Sequence, residues 1–345
     1  MSLPWTPLRW AAGAAAFATV LPGIVETLFL LENRGLLRSV RVRPLRWTRG
    51  KEAAVLALGA ACFTLPLLWP DLFFPLTWGS FVFLLEPWNR RFARRSFLRD
   101  LEAGEAGPFC RTLLAGLLCG GLWEAWNFWA RTKWIYTVPG FEGVRLFEMP
   151  LTGFLGFPPF AVESVVLLRF LGGWRDRLAP PALKVARGLA LTLGPAAVAG
   201  MFAVADPLAV DSVYVPLAEL DVIPGPVRAR LAAAGLSSPE RLLRATGDPG
   251  ERAAWALRAG ITATELQSAR SRARLVVHRG LGLERARQME ALGVRTLADL
   301  AAWPADALAR ELARLHPGDP RNRFLERRAR AWTRDLEPAT SRAGR

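Results

Sequence analysis

Glu124, Asn127 and Arg131 fall three and seven residues apart in the stretch WEAWNFWARTKW. At 3.6 residues per turn that spacing puts all three on one helix face, away from Trp123, Trp126 and Phe128. The stretch ends an apolar run, so these groups belong to a helix that must turn them inward and find them partners. Glu26, Glu148 and Glu163 have comparable settings in or beside other apolar runs. Together with Asn127, Lys133 and Tyr136 they would form a polar cluster near one membrane level. A carboxyl group in an apolar pocket keeps its proton near neutral pH and can serve as a general acid. The catalytic candidates are therefore Glu124, Asn127, Glu148, Glu163, Tyr136 and Lys133, acting on an apolar substrate that enters from the lipid. The structural alternative is that Glu124 and Glu163 pair with Arg131 or Arg169 and fix helix register.

Six apolar runs would position this cluster. They are Ala11–Leu31, Ala53–Trp69, Leu72–Leu85, Arg111–Ala130, Leu151–Leu171 and Gly188–Ala205. Each approaches the ~20 residues that a helix needs to cross a bilayer core, the third being short. Pro70 and Asp71 alone separate the second from the third, which makes a tight helical hairpin. Pro158-Pro159 should kink the fifth. The first run is long, contains Pro22-Gly23 and lacks a clear cleavage site, so it reads as an uncleaved span. Most of the 14 tryptophans sit at the ends of these runs, where an indole can keep its polar edge wet. The segment Thr132–Met149 is too polar to span and should lie along the interface.

The chain has 345 residues, 52% of them hydrophobic, and a formal charge of +15. Much of that charge falls in three short loops: Arg34 to Lys51, Arg90 to Arg99, and Arg175 to Arg187. Such loops stay cytoplasmic, so the basic excess is explained without nucleic acid. Six spans would then place both termini outside the cytoplasm, and five or seven would reverse one end. Cys62, Cys110 and Cys119 lie in apolar runs with no C-x-x-C pair, which points to packing. His278 and His316 are the two histidines, and both lie outside the apolar region, so no metal site is expected. Phosphate-loop, serine-hydrolase and zinc-protease signatures are absent, and no cofactor is expected.

The chain divides into an integral membrane helical domain (1–206), a linker (207–221), an arginine- and alanine-rich domain (222–336) and a disordered tail (337–345). The third of these contains a repeat. LAAAGLSSPERLL, ALRAGITATELQ and MEALGVRTLADLA share an apolar residue, a glycine (Gly235, Gly260, Gly293), a further apolar residue and then Ser/Thr. Each copy reads as a helix, a left-handed glycine cap, and a second helix opened by Ser or Thr.

Gly280-Leu281-Gly282-Leu283-Glu284-Arg285-Ala286, followed by Gly293-Val294-Arg295-Thr296, resembles the helix-hairpin-helix family. The paired copies look like an uncharacterised bacterial domain family built from tandem hairpins. The resemblance covers roughly the last third of the chain, and Gly247-Asp248-Pro249 departs from it by lacking the second glycine. It implies two uses. Backbone N–H groups at Gly280 and Gly282 can meet a DNA phosphate, with Arg279, Arg285 and Arg287 adding charge. Alternatively the hairpins are packing units that dock a protein partner or a second copy.

The membrane part is similar to a bacterial integral membrane family without assigned activity, through WEAWNFW, KWIYTVP, FEMP and GFPPFAVE. Trp134-Ile135-Tyr136 and Glu148-Met149-Pro150 also resemble elements of membrane carotenoid cyclases and hydratases, although the doubled glutamate of the cyclases is missing. The expected fold is all-α: a polytopic bundle of about six spans followed by a small soluble domain of tandem hairpins. The expected location is the bacterial cytoplasmic (inner) membrane. Three functions remain open. The chain is a membrane-anchored scaffold whose tail recruits a protein partner or self-associates, its membrane part binding a lipid-like ligand. Alternatively it is a membrane enzyme acting on an isoprenoid or lipid, or a membrane-tethered DNA binder.

Overall fold

The computed structural model describes residues 6–130, 133, 135–136, 144–205, 210, 212, 215–319, 322, 324–334 and 336. Arg131, Trp134, half of the expected interfacial segment, six of the fifteen expected linker residues and the tail at 337–345 lie outside the described residues. The described residues are all-α apart from one hairpin of two-residue strands, in which β1 (Arg145–Leu146) pairs antiparallel with β2 (Met149–Pro150). It forms two compact units. One comprises residues 5–129 and 141–201, and the other residues 1–4, 130–140 and 202–345.

The first unit contains α1 (Thr6–Ala18), α2 (Val20–Asn33), α3 (Arg49–Leu68), the single turn α4 (Pro70–Phe73), α5 (Ser80–Phe92), α6 (Phe97–Glu102), α7 (Gly107–Trp129), α8 (Phe157–Arg175) and α9 (Pro180–Ala205). Among the described residues, four helical stretches are long and apolar enough to cross a membrane: Trp10–Asn33, Arg49–Leu68, Leu151–Arg175 and Pro180–Ala203. Much of their apolar surface faces outward; Leu155 and Leu191, for example, are exposed. An apolar side chain costs nothing facing hydrocarbon and a good deal facing water, which is the signature of a lipid-embedded unit.

The span expected over Leu72–Leu85 is not one helix. Pro75 and Gly79 interrupt it, and the chain runs through a 3-10 segment (Phe74–Gly79) before α5 begins. Pro158 and Pro159 do not kink the fifth run either. They sit in the first turn of α8, where no intrahelical N–H bond is lost. The run over Arg111–Ala130 is a continuous helix, α7, but it is not among the four stretches apolar enough to cross.

Small residues let these helices approach. A Cβ at Gly116 would lie 2.5 Å from the Phe157 carbonyl oxygen, and one at Gly120 would overlap the Phe157 ring. A Cβ at Gly59 would meet Leu84 at 2.8 Å, closing α3 on α5. Lipid supplies little hydrophobic drive between helices, so close backbone packing of this kind takes its place.

The second unit contains α10 (Gly225–Ala233), α11 (Pro239–Ala245), α12 (Pro249–Ala259), α13 (Ala263–Val277), α14 (Gly282–Glu290), α15 (Leu297–Ala301), α16 (Ala305–Leu315) and α17 (Leu325–Thr333). One apolar core runs from Val215 to Trp332. The three repeat copies have the same geometry. Gly235, Gly260 and Gly293 are left-handed, with φ of 92°, 65° and 75°. The next residue in each copy donates back five residues: Leu236 to the Leu231 carbonyl, Ile261 to Ala256 and Val294 to Met289, at 3.0–3.1 Å. These are Schellman caps, and their apolar residues are buried, as that motif favours. Ser238, Thr262 and Thr296 then accept the first N–H bonds of α11, α13 and α15.

Candidate functional site

Helix α7 buries one stripe: Thr112, Ala115, Gly116, Gly120, Glu124 and Asn127. Spacings of three and four keep this stripe on a single face. Gly116 and Gly120 place that face against the start of α8, and Glu124, with 0% exposure, and Asn127 continue it. The expectation that Glu124 and Asn127 turn inward together therefore holds.

The other residues of the expected cluster have the following described settings. Glu163 is buried on α8, but its Oε1 accepts the Phe81 N–H at 3.0 Å. Phe81 is the second residue of α5, whose preceding residue, Gly79, has no side chain to cap it. Glu163 thus serves as the cap, and its carboxylate also suits the positive end of the helix. Arg169, the suggested partner of Glu163, instead stacks its guanidinium 4.0 Å from the centre of the Phe97 ring. Glu148 is half-buried beside the β-hairpin, where its own carbonyl accepts from Arg145 at 2.9 Å. Glu26 is exposed on α2 and does not face the interior. Lys133 is exposed and Tyr136 half-buried, and both belong to the other compact unit.

A polar knot that the sequence reading missed centres on Glu86. Its Oε1 accepts from Ser96 Oγ (2.8 Å) and Leu98 N–H (3.0 Å), and its Oε2 accepts from Asn89 Nδ2 (3.1 Å). Asn89 Nδ2 also donates to the Val166 carbonyl at 2.9 Å. Two side chains of α5 thereby tie down the start of α6 and the middle of α8. The available signal was the i, i+3 pair Glu86/Asn89, but it adjoins the Arg90-Arg91 run and reads as loop polarity.

In the second unit, Arg279, Gly280 and Gly282 are all left-handed, with φ of 44°, 67° and 79°. Arg279 is the residue for which that region is costly. The turn is held by the Leu281 N–H, which donates to the His278 carbonyl at 2.8 Å. His278 Nε2 pairs with the Trp332 carbonyl at 2.7 Å, and burial pulls the His278 pKa below its ordinary value.

The arginines expected to serve a phosphate are committed elsewhere. Arg285 is 2% exposed and donates to Gln288 Oε1 (2.6 Å) and Asn322 Oδ1 (2.9 Å), with Asp319 at 3.7 Å. It is a core tether and adds no surface cation, which corrects the expectation. Arg287 pairs with Asp221 (2.7 Å) and Glu284 (3.0 Å), and Arg279 reaches the Ala331 carbonyl at 3.4 Å. Gly280 and Gly282 adopt left-handed backbone on either side of Leu281, and among the described residues Arg285 and Arg287 are paired within the chain. Among the described residues, no group of three or more His, Cys, Asp or Glu is placed to hold a metal ion.

No curated protein and no solved structure matches the chain. A family model described as a domain of unknown function, DUF4332, matches residues 225–334, about a third of the chain and the whole run from α10 to α17.

Proposed function

We propose that this chain is a multi-pass protein of the bacterial cytoplasmic membrane whose C-terminal unit, a tandem helix-hairpin-helix array, docks a protein partner or a second copy of itself. The observation that carries this reading is Leu257, which is 85% exposed on α12. The other large apolar side chains described between residues 222 and 334 are buried or half-buried. Ala253 and Ala254 are exposed on the same helix. The Arg258 guanidinium lies 4.8 Å from the centre of the half-buried Trp255 ring. Ala253, Ala254 and Leu257, at helical spacings of three and four, share one exposed apolar face, the kind of surface that marks a docking site. The commitment of Arg279, Arg285 and Arg287 within the chain favours docking over phosphate binding.

Leu257→Glu tests this in the full-length protein, cross-linked in its native membranes. The exposed position predicts unchanged thermal unfolding with loss of the cross-linked dimer or of the cross-linked partner. If neither species changes, the α12 face is not the docking surface.

A second reading, a membrane enzyme acting on an isoprenoid or lipid, draws on the complete burial of Glu124. A carboxyl group so placed is costly unless something uses it or pairs with it.

A further inference from the structure

Glu26 lies inside Trp10–Asn33, the first stretch able to cross a membrane, and its side chain is exposed. The other side of α2 faces the bundle: Ile24 and Leu31 are buried, and Thr27 Oγ1 meets Cys119 Sγ of α7 at 3.2 Å. Glu26 follows Ile24 by two residues, roughly 200° around the helix, so it points away from its own bundle. Among the described residues its side chain makes no hydrogen bond or ion pair. A carboxyl group facing hydrocarbon is costly and takes a partner.

Arg187 of α9 is the complementary case. It is exposed, and its side chain also makes no hydrogen bond or ion pair among the described residues. No described side chain of α9 is buried, whereas α8 buries Ala161 through Val166. The two charged groups lie at one depth. Glu32, near the end of α2, pairs with Arg95 at 3.3 Å, and Asp176, which follows α8, pairs with Arg94 at 2.7 Å. The end of α2 and the start of α9 are thus on the same side. Glu26 precedes the last residue of α2 by seven, and Arg187 follows the first residue of α9 by seven, so each is about 10 Å in. From that side the two helices run in opposite directions, which sets Leu191 level with Gly23, and Gly194 level with Thr19. Leu191 is 76% exposed, and a Cβ at Gly23 or Gly194 would meet nothing within 4 Å, so both glycines are open to an approaching helix.

We propose that α2 of one copy docks α9 of a second copy in the membrane, with Glu26 paired to Arg187 across the contact and Leu191 seated over Gly23. The second copy is the occupant because it supplies both complements: the cation at matching depth, and an apolar helix that its own chain leaves uncovered. The proposal rests on the reading of the first unit as lipid-embedded and is independent of the α12 docking face.

The test uses the full-length protein carrying Leu257→Glu, so that α12 contributes no contact. Two differently tagged copies are co-expressed, and one is captured from mild detergent; the other should come with it. Glu26→Arg alone, or Arg187→Glu alone, made in both copies, should lower this capture at least tenfold. The double reversal should restore it. In native membranes oxidised with copper phenanthroline, a Gly23→Cys copy should form a disulfide with a Leu191→Cys copy, well above the yield from copies lacking these cysteines. That pair changes no charge, so it decides the matter if a reversed variant fails to insert. Absence of co-capture without the charge changes, a double reversal that inserts yet stays separate, or a disulfide yield no higher than the control overturns the contact. Release of the protein from membranes by alkaline carbonate overturns the lipid-embedded reading itself, and the contact with it.

Discussion

The Phe81 N–H donates to Glu163 Oε1 at 3.0 Å, joining residues 82 positions apart. Glu163 therefore has a structural task that its sequence setting does not reveal: it caps a helix that begins after a glycine. Glu163→Leu should destabilise the protein by about 1 kcal/mol, the usual worth of an N-cap. Glu163→Gln, which keeps an acceptor oxygen, should cost less. Thermal unfolding of the purified protein in detergent checks the order. Equal losses for both variants would remove the capping role.

Glu124 sits fully buried on the same face as Gly116 and Gly120. If it only fixes the α7–α8 seam, Glu124→Gln will leave the lipid and pigment profile of expressing cells unchanged. An altered profile, seen by chromatography of extracts, would establish the enzyme reading instead.

The seam itself is tested by two neighbouring glycines. A Cβ at Gly120 overlaps the Phe157 ring, whereas one at Gly121 meets nothing within 4 Å. Gly120→Ala should cost about 1–3 kcal/mol through overpacking. Gly121→Ala should be neutral or stabilise by up to about 1 kcal/mol through helix propensity. The two midpoints of thermal unfolding should move apart accordingly.

Arg285 and Arg287 differ in kind although they are two residues apart. Arg285→Ala removes a buried cation that holds Gln288, Asn322 and Asp319 and should cost about 3–5 kcal/mol. Arg287→Ala removes half-exposed pairs worth about 1 kcal/mol or less. A phosphate-binding hairpin would instead make both substitutions weaken DNA retention without this contrast in stability.

His278 makes the C-terminal unit sensitive to pH. Its folded pKa lies below the ordinary value of about 6.5, with burial the main cause and Arg279 and Arg274 adding repulsion. Below that value the unfolded state binds the extra proton, so stability falls as the pH drops through 6.5 toward the folded pKa. It is unaffected above. Hydrogen exchange in α17, whose Trp332 carbonyl meets the ring, should accelerate at pH 5 relative to pH 7.5 after correction for intrinsic rates. His278→Gln should flatten that difference.

Signals confined to a turn or two were legible in the sequence alone. Gly235, Gly260 and Gly293 announced left-handed caps because few other residues adopt that backbone cheaply, and Ser238, Thr262 and Thr296 announced the helices that follow. Run length and composition identified helices able to cross a membrane. The shared face of Glu124 and Asn127 followed from 3.6-residue periodicity. Only the tertiary structure decided what each polar group meets. It gave Glu163 to Phe81, Glu86 to Ser96 and Asn89, and Arg285 to Asn322, and it left Glu26 on the surface. The reason is physical: helix and cap preferences are set by neighbours along the chain. The partner of a buried charge is instead set by which elements pack against it, and those lie tens of residues away.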